Sequence, residues 1–114
     1  MTAREFENYC ISLLNKNGWT ASNTRVSGDQ GVDIFASFGN IKVVFQCKMY
    51  AKPVGNKAVQ EIIAGKNFAK VDIAAVVSNQ GFTISAKQLA EETRVHLLHY
   101  SDLAEFSKKL GVIN

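Results

Sequence analysis

Asp33-Ile34-Phe35-Ala36-Ser37-Phe38-Gly39-Asn40-Ile41-Lys42-Val43-Val44-Phe45-Gln46-Cys47-Lys48 is the stretch that decides the fold. Two apolar runs, rich in β-branched and aromatic residues, flank Gly39-Asn40 in the pattern of a β-hairpin. A two-residue loop with glycine first suits a type II′ turn, because glycine accepts the positive φ of its first central position. A turn centred there sets Phe38 opposite Ile41, Ser37 opposite Lys42, Ala36 opposite Val43, Phe35 opposite Val44, Ile34 opposite Phe45 and Asp33 opposite Gln46. Opposed residues share a face, with Cβ atoms roughly 5 Å apart. Lys48 lies two residues beyond Gln46 on that face, roughly 7 Å along the strand. An acid, an amide and an amine thus converge at one end of an otherwise apolar ribbon. A bulge or a longer loop would slip the register by one residue and break the alignment.

Outward from the hairpin, helical and strand patterns alternate. Residues 3–17 carry Phe6, Tyr9, Cys10, Leu13 and Leu14 at helical spacing, with Gly18 as the C-cap. Residues 19–24 read as a short edge strand. Residues 25–31 read as a polar loop shaped by Gly28, Asp29 and Gly31. Beyond Pro53, Lys57 to Phe68 reads as a helix with Val59, Ile62 and Ile63 inward and Phe68 as a further inward candidate. Val71 to Val77 is apolar apart from Asp72, as in a strand buried on both faces. Ser85 opens a helix through Glu92, with Gln88 placed for a capping box. Val95 to Tyr100 is another strand. Ser101 or Asp102 caps a last helix ending at Leu110, followed by Gly111. The expected order is α-β-β-β-α-β-α-β-α, an α/β fold with a central mixed β-sheet flanked by helices.

At 114 residues and 46% hydrophobic content, one globular domain over residues 1–114 is expected. No apolar run approaches the length of a membrane span, and the N-terminus lacks the apolar segment of a secretory signal. Cys10 and Cys47 sit in apolar patterns without metal-ligand spacing, which suits free thiols in a reducing, cytoplasmic setting. Net charge is +3. Lys42, Lys48, Lys52, Lys57, Lys66 and Lys70 cluster against the single acid Glu61. That excess suits a polyanionic partner and, equally, a solvated surface. His96 and His99 read as ordinary strand residues, and Glu91-Glu92 as a helix surface.

Asp33 followed by Gln46-Cys47-Lys48 resembles the PD-(D/E)XK nuclease superfamily. The wider set of matches resembles its Mrr-type restriction endonuclease branch. That set comprises Phe6-Glu7, Gly18-Trp19, Gly28-Asp29-Gln30-Gly31-Val32-Asp33, Tyr50, Val54-Gly55, and Phe82-Thr83 running into Ser85-Ala86. Gln46 suits the Mrr branch while departing from the Glu of the wider motif. The resemblance implies a restriction-endonuclease-like fold and a metal-dependent DNA endonuclease that leaves a 5′-phosphate. It implies Mg2+, with Mn2+ as substitute, held by Asp33, the Gln46 amide oxygen and the Cys47 backbone carbonyl. Glu7 would support the metal directly or through water, although its place one step off the apolar stripe equally suits a solvent-facing acid. Lys48 would position and help deprotonate the attacking water, or stabilise developing charge.

These residue types suit that chemistry. Phosphodiester hydrolysis builds negative charge on non-bridging and leaving oxygens, and a hard cation with oxygen ligands offsets it. Each residue also has a plainer reading. Asp33 can be a turn residue, Gln46 its hydrogen-bond partner, and Lys48 a rim charge lying on apolar surface. Lys52, Lys57 and Gln60 are candidate phosphate contacts or simply a solvated face. The expected partners are DNA, a second copy in a homodimer that would cut both strands, and a separate DNA-reading partner, with no membrane. Two readings compete. One is a Holliday-junction resolvase-like nuclease, which normally has Glu in the Gln46 position. The other is a non-catalytic DNA-binding or assembly module, for which the neutral Gln46 is the best argument.

Overall fold

Gly39 adopts φ +59° and Asn40 stays out of the positive-φ region, as a glycine-first hairpin turn requires. The computed structural model describes residues 1–24 and 31–111. Its elements are α1 (Ala3–Lys16), β1 (Thr20–Asn23), β2 (Ile34–Phe38), β3 (Ile41–Lys48), α2 (Asn56–Ala69), β4 (Ile73–Ser78), α3 (Ile84–Thr93), β5 (His96–His99), a 3₁₀ segment (Tyr100–Glu105) and α4 (Phe106–Lys109). This is the order expected from the sequence, with the 3₁₀ segment added before the last helix. Among the described residues, no helix is long and apolar enough to cross a membrane.

The five strands lie side by side in chain order. The first three are antiparallel. The β3–β4 and β4–β5 pairs are parallel, joined through α2 and α3. The central strand β3 therefore has its backbone engaged on both sides. Its side chains alternate between two cores. Val43 and Phe45 join Phe6, Leu14, Trp19 and Phe106 on the side of α1 and α4. Val44 joins Val59, Ile62 and Val76 beneath α2 and α3. The β4 strand is buried on both faces, which accounts for its nearly continuous apolar sequence.

Hairpin register follows the turn from Phe38–Ile41 to Ile34–Phe45. The next pair, Asp33 with Gln46, does not form. The Asp33 N–H instead reaches the Phe45 carbonyl at 2.8 Å, the level already occupied by Ile34. This is a bulge-like step of one extra residue at the start of β2. Turn counting cannot see it, because the turn sets register only until a residue is inserted.

Four further expectations are corrected. The C-cap of α1 is Asn17, with Gly18 following it. Phe68 is 61% exposed, while Ala58 and Gly65 take the inward positions beside Val59 and Ile62. The N-cap of α3 is Thr83, whose hydroxyl accepts the Ala86 N–H at 3.1 Å. A parallel bridge between Val54 and Phe82, with the Thr83 N–H on the Val54 carbonyl at 2.9 Å, fixes the chain there. Ser85 is then already inside the helix and makes no capping box with Gln88. Finally, His99 and Asp102 cap the 3₁₀ segment reciprocally, and the α-helix begins only at Phe106. Leu103 and Phe106, three residues apart and both buried, favour the tighter turn that aligns such a pair.

The corrected cap is testable. Thr83→Ala is expected to lower unfolding free energy by about 1 kcal/mol. Ser85→Ala is expected to leave it nearly unchanged. Urea denaturation of both variants checks the assignment.

Candidate active site

Gln46 is 4% exposed on the α2 side of β3. Its Nε2 donates to Glu61 Oε1 at 3.2 Å. A carboxylate only accepts, so this contact fixes which way the amide is turned. The other end of the amide, Gln46 Oε1, is buried with no hydrogen-bond partner among the described residues. Two residues on, Lys48 Nζ lies 3.4 Å from the same Glu61 oxygen and 5.7 Å from the Tyr50 ring centre. Gln46 and Lys48 thus share a face, as strand alternation demands, and meet the same carboxylate.

Asp33 is half-buried, and its Oδ2 accepts the Cys47 N–H at 2.8 Å. The bulge-like step therefore brings its carboxylate to the backbone of Cys47, and no hydrogen bond joins it to Gln46. Burial lifts the Asp33 carboxyl above its usual range, and the Glu61 charge adds to that. The Cys47 N–H and the Lys48 charge oppose it with less effect. Glu7, reaching the same end of the sheet from α1, accepts the Asn23 side-chain amide. Its carboxyl is also raised, first by burial and then by the Asp33 charge, against the Asn23 bond. Asp33 therefore feels or exerts the charge of Glu7, Lys48 and Glu61. Carboxyls held uphill in this way mark functional sites more often than structural ones.

Other expected residues lie outside this cluster. Lys52, Lys57 and Gln60 are exposed on the loop before α2 and on α2 itself, without ion pairs among the described residues. Gly28 and Asp29 lie outside the described residues. Gly31 has φ +72°, and a Cβ there would stand 2.4 Å from the Glu61 carbonyl oxygen. Only glycine lets the backbone at residue 31 approach α2 this closely. His96 packs its ring on Phe106, and His99 caps the 3₁₀ segment, so both are structural. Cys10 and Cys47 are free thiols. The Cys10 contact and burial push the Cys47 thiol well up. A cavity of about 390 Å³ lined by Phe6, Tyr9, Met49, Asn79 and Tyr100 contains none of the clustered polar groups.

Sequence reasoning missed Glu61. Its signal was present: it is the one acid on the helix that follows the strand. A buried amide and a lysine facing that helix require an acceptor there. Among the described residues, no three acid, histidine or cysteine side chains close on one point. The oxygen donors available here come from carboxylates, an amide and the backbone.

The Mrr_cat family model, described as restriction endonuclease, matches residues 1–107. Among solved structures, a protein of unknown function, AF1548, superposes with TM-score 0.71 at 18% identity, over 90% of this chain and 65% of its own. The Archaeoglobus fulgidus Holliday junction resolvase Hjc superposes with TM-score 0.54 at 20% identity, over 68% of each chain. The restriction endonuclease MspJI superposes with TM-score 0.58 at 20% identity, over 96% of this chain but 28% of its own. The chain thus spans under two thirds of AF1548 and under a third of MspJI. No match is found among curated proteins. These likenesses establish a restriction-endonuclease-like fold.

A raised carboxyl has a thermodynamic consequence. Protonated Asp33 suits the folded state better than ionised Asp33, so its contribution favours folding at low pH and is lost as pH rises through its folded pKa. Asp33→Asn keeps an oxygen acceptor for Cys47 and removes the ionisation. At pH 7 the variant is expected to melt about 1–3 °C higher than the parent without added metal. The gain is expected to vanish in acid, where the parent's carboxyl is protonated. Thermal melts across pH check both.

Proposed function

The chain belongs to the Mrr catalytic family of restriction endonucleases, and from that premise we propose that it hydrolyses DNA phosphodiester bonds with a divalent metal ion. Residues 1–114 act as one nuclease domain in this reading. The observation that supports it most is the buried, unpartnered Gln46 Oε1. A lone carbonyl oxygen at that depth costs a few kcal/mol unless something electropositive meets it. Lys48, the nearby cation, is engaged with Glu61. A metal ion would give that oxygen a partner, and oxygen donors select a hard ion such as Mg2+, with Mn2+ as substitute.

Asp33, Gln46 Oε1 and the Cys47 backbone carbonyl would hold the ion, with Glu7 supporting it directly or through water. The ion, when bound, supplies Lewis-acid stabilisation of charge on the phosphate and acidifies water. The protein does the rest. Asp33 is fixed by the Cys47 N–H, so its carboxylate needs little reorganisation. Lys48 places its ammonium at the open end of the cluster, where it orients the attacking water or balances charge on the departing oxygen. Exposed Lys52, Lys57 and Gln60 would contact backbone phosphates in this reading, which position DNA without reading sequence. Cutting both strands calls for two copies, hence a homodimer, and sequence choice would rest with DNA shape or a separate DNA-reading partner. The free thiols are consistent with action in the cytoplasm.

The fold shared with the Hjc resolvase gives a second reading, a nuclease selective for branched DNA. One assay addresses both. Supercoiled plasmid, linear duplex and four-way junction DNA are incubated with and without Mg2+. The parent is expected to cleave plasmid and linear DNA only with the ion. Lys48→Ala is expected to lose at least about 100-fold in rate while still binding DNA. Cleavage confined to the junction would favour the resolvase reading. Cleavage by Lys48→Ala at the parent's rate, or binding without cleavage in any metal, would reject the proposal.

A further inference from the structure

We infer that Glu61 is a ligand of the metal site, supplying from α2 the negative charge that Gln46 lacks in β3. This inference rests on the nuclease reading above and adds a residue to it.

An amide at the β3 position leaves only one carboxylate, Asp33, on the hairpin itself. Hard divalent ions are held chiefly by carboxylate oxygens, so a neutral substitution weakens a site unless charge returns from elsewhere. Glu61 is placed to return it. Its Oε1 touches both Gln46 Nε2, at 3.2 Å, and Lys48 Nζ, at 3.4 Å. It therefore stands between the two strand residues of the motif, on the helix that covers them.

The state of Gln46 is the independent sign of a ligand. With its nitrogen drawn to Glu61, the amide turns its oxygen away, 4% exposed and without a partner. A purely structural Gln–Glu contact would leave that oxygen wanting. A cation shared by the amide oxygen, Asp33 and Glu61 satisfies it. Glu61 thus does two things: it sets the orientation of Gln46, and it carries the charge.

The backbone holds this arrangement from both sides. Gly31, two residues before Asp33, lies against the Glu61 carbonyl, closer than any side chain would allow. The chain two residues before Asp33 is therefore held against the backbone of Glu61 itself. The plainer role for Glu61 is neutralising Lys48. Its side chain is 37% exposed, and an ion pair at that exposure contributes little stability, so in such a role its loss would reach the ion only as weak, solvent-screened repulsion from Lys48.

Calorimetric titration of Mg2+ and Mn2+ into the full chain without DNA separates these roles. The variants are Asp33→Asn, Glu61→Gln, Gln46→Glu, and the double variant Gln46→Glu with Glu61→Gln. Glu61→Gln is expected to weaken binding by on the order of tenfold. The double variant moves the carboxylate onto β3 and places an amide donor on α2, mirroring the native pair. It is expected to restore affinity to within about threefold of the parent. Glu61→Asp, which keeps the charge and shortens the reach, is expected to bind with intermediate affinity and serves if Glu61→Gln fails to fold by circular dichroism. Parent-like affinity in Glu61→Gln, or in Glu61→Asp if the first is unfolded, would overturn the inference. If Asp33→Asn still loses binding in that case, the nuclease reading stands and only Glu61 is dismissed. A parent that binds neither ion, or binds as Asp33→Asn does, would overturn both.

Discussion

Gln46 lies in the central strand of the sheet with its amide nitrogen satisfied by Glu61 and its oxygen without a hydrogen-bond partner among the described residues. The strand cannot shift to relieve it. The β3 backbone is paired antiparallel to β2 on one side and parallel to β4 on the other. Its neighbours along the strand, Phe45 and Val44, anchor opposite cores. An apolar residue at this position would remove the unmet carbonyl at once. A structure that keeps a half-bonded amide at such depth is built around something that completes it.

The same strand divides the labour of the site. One face sends Gln46 and Lys48 toward α2. The other sends Phe45 into the aromatic cluster of Trp19 and Phe106, and the Cys47 N–H holds Asp33. Because β3 switches from an antiparallel to a parallel neighbour, the helices that cover it arrive by different routes. The crossover helix α2 delivers Glu61, and α1 at the start of the chain delivers Glu7. Asp33 thereby lies within electrostatic reach of one acid from each helix. Burial, and to a smaller extent repulsion from neighbouring acids, raises Asp33 and Glu7, which is a cost in stability concentrated where chemistry is proposed.

What could be read from the sequence divides along the line between local and distant determinants. The hairpin was legible because period-two alternation and a glycine-first turn act over a few residues. Five of its cross-strand pairs follow from counting alone. The sixth failed, since the extra residue at Asp33 answers to the Phe45 carbonyl and not to the turn. The motif residues Asp33, Gln46 and Lys48 stood out as polar groups in apolar strands. Glu61 did not, because its partner is 15 residues away and a solvent-facing helix acid looks the same in sequence. The α3 cap was misplaced for a similar reason: Ser85 fits a local rule, and the Val54–Phe82 bridge that makes Thr83 the cap is distant. Glu7 sat one step off the helical stripe, and only the fold shows that this step points it at Asn23.

The central claim is that a cation completes the Gln46 carbonyl, and crystallography tests it directly. Crystals of the protein grown with Mn2+ would be measured at a wavelength where manganese scatters anomalously. The account requires an anomalous peak within bonding distance of Gln46 Oε1 and the Asp33 carboxylate, on the order of 2.1–2.3 Å. A peak elsewhere, or a Gln46 oxygen hydrogen-bonded to protein or ordered water with no ion beside it, would contradict the account.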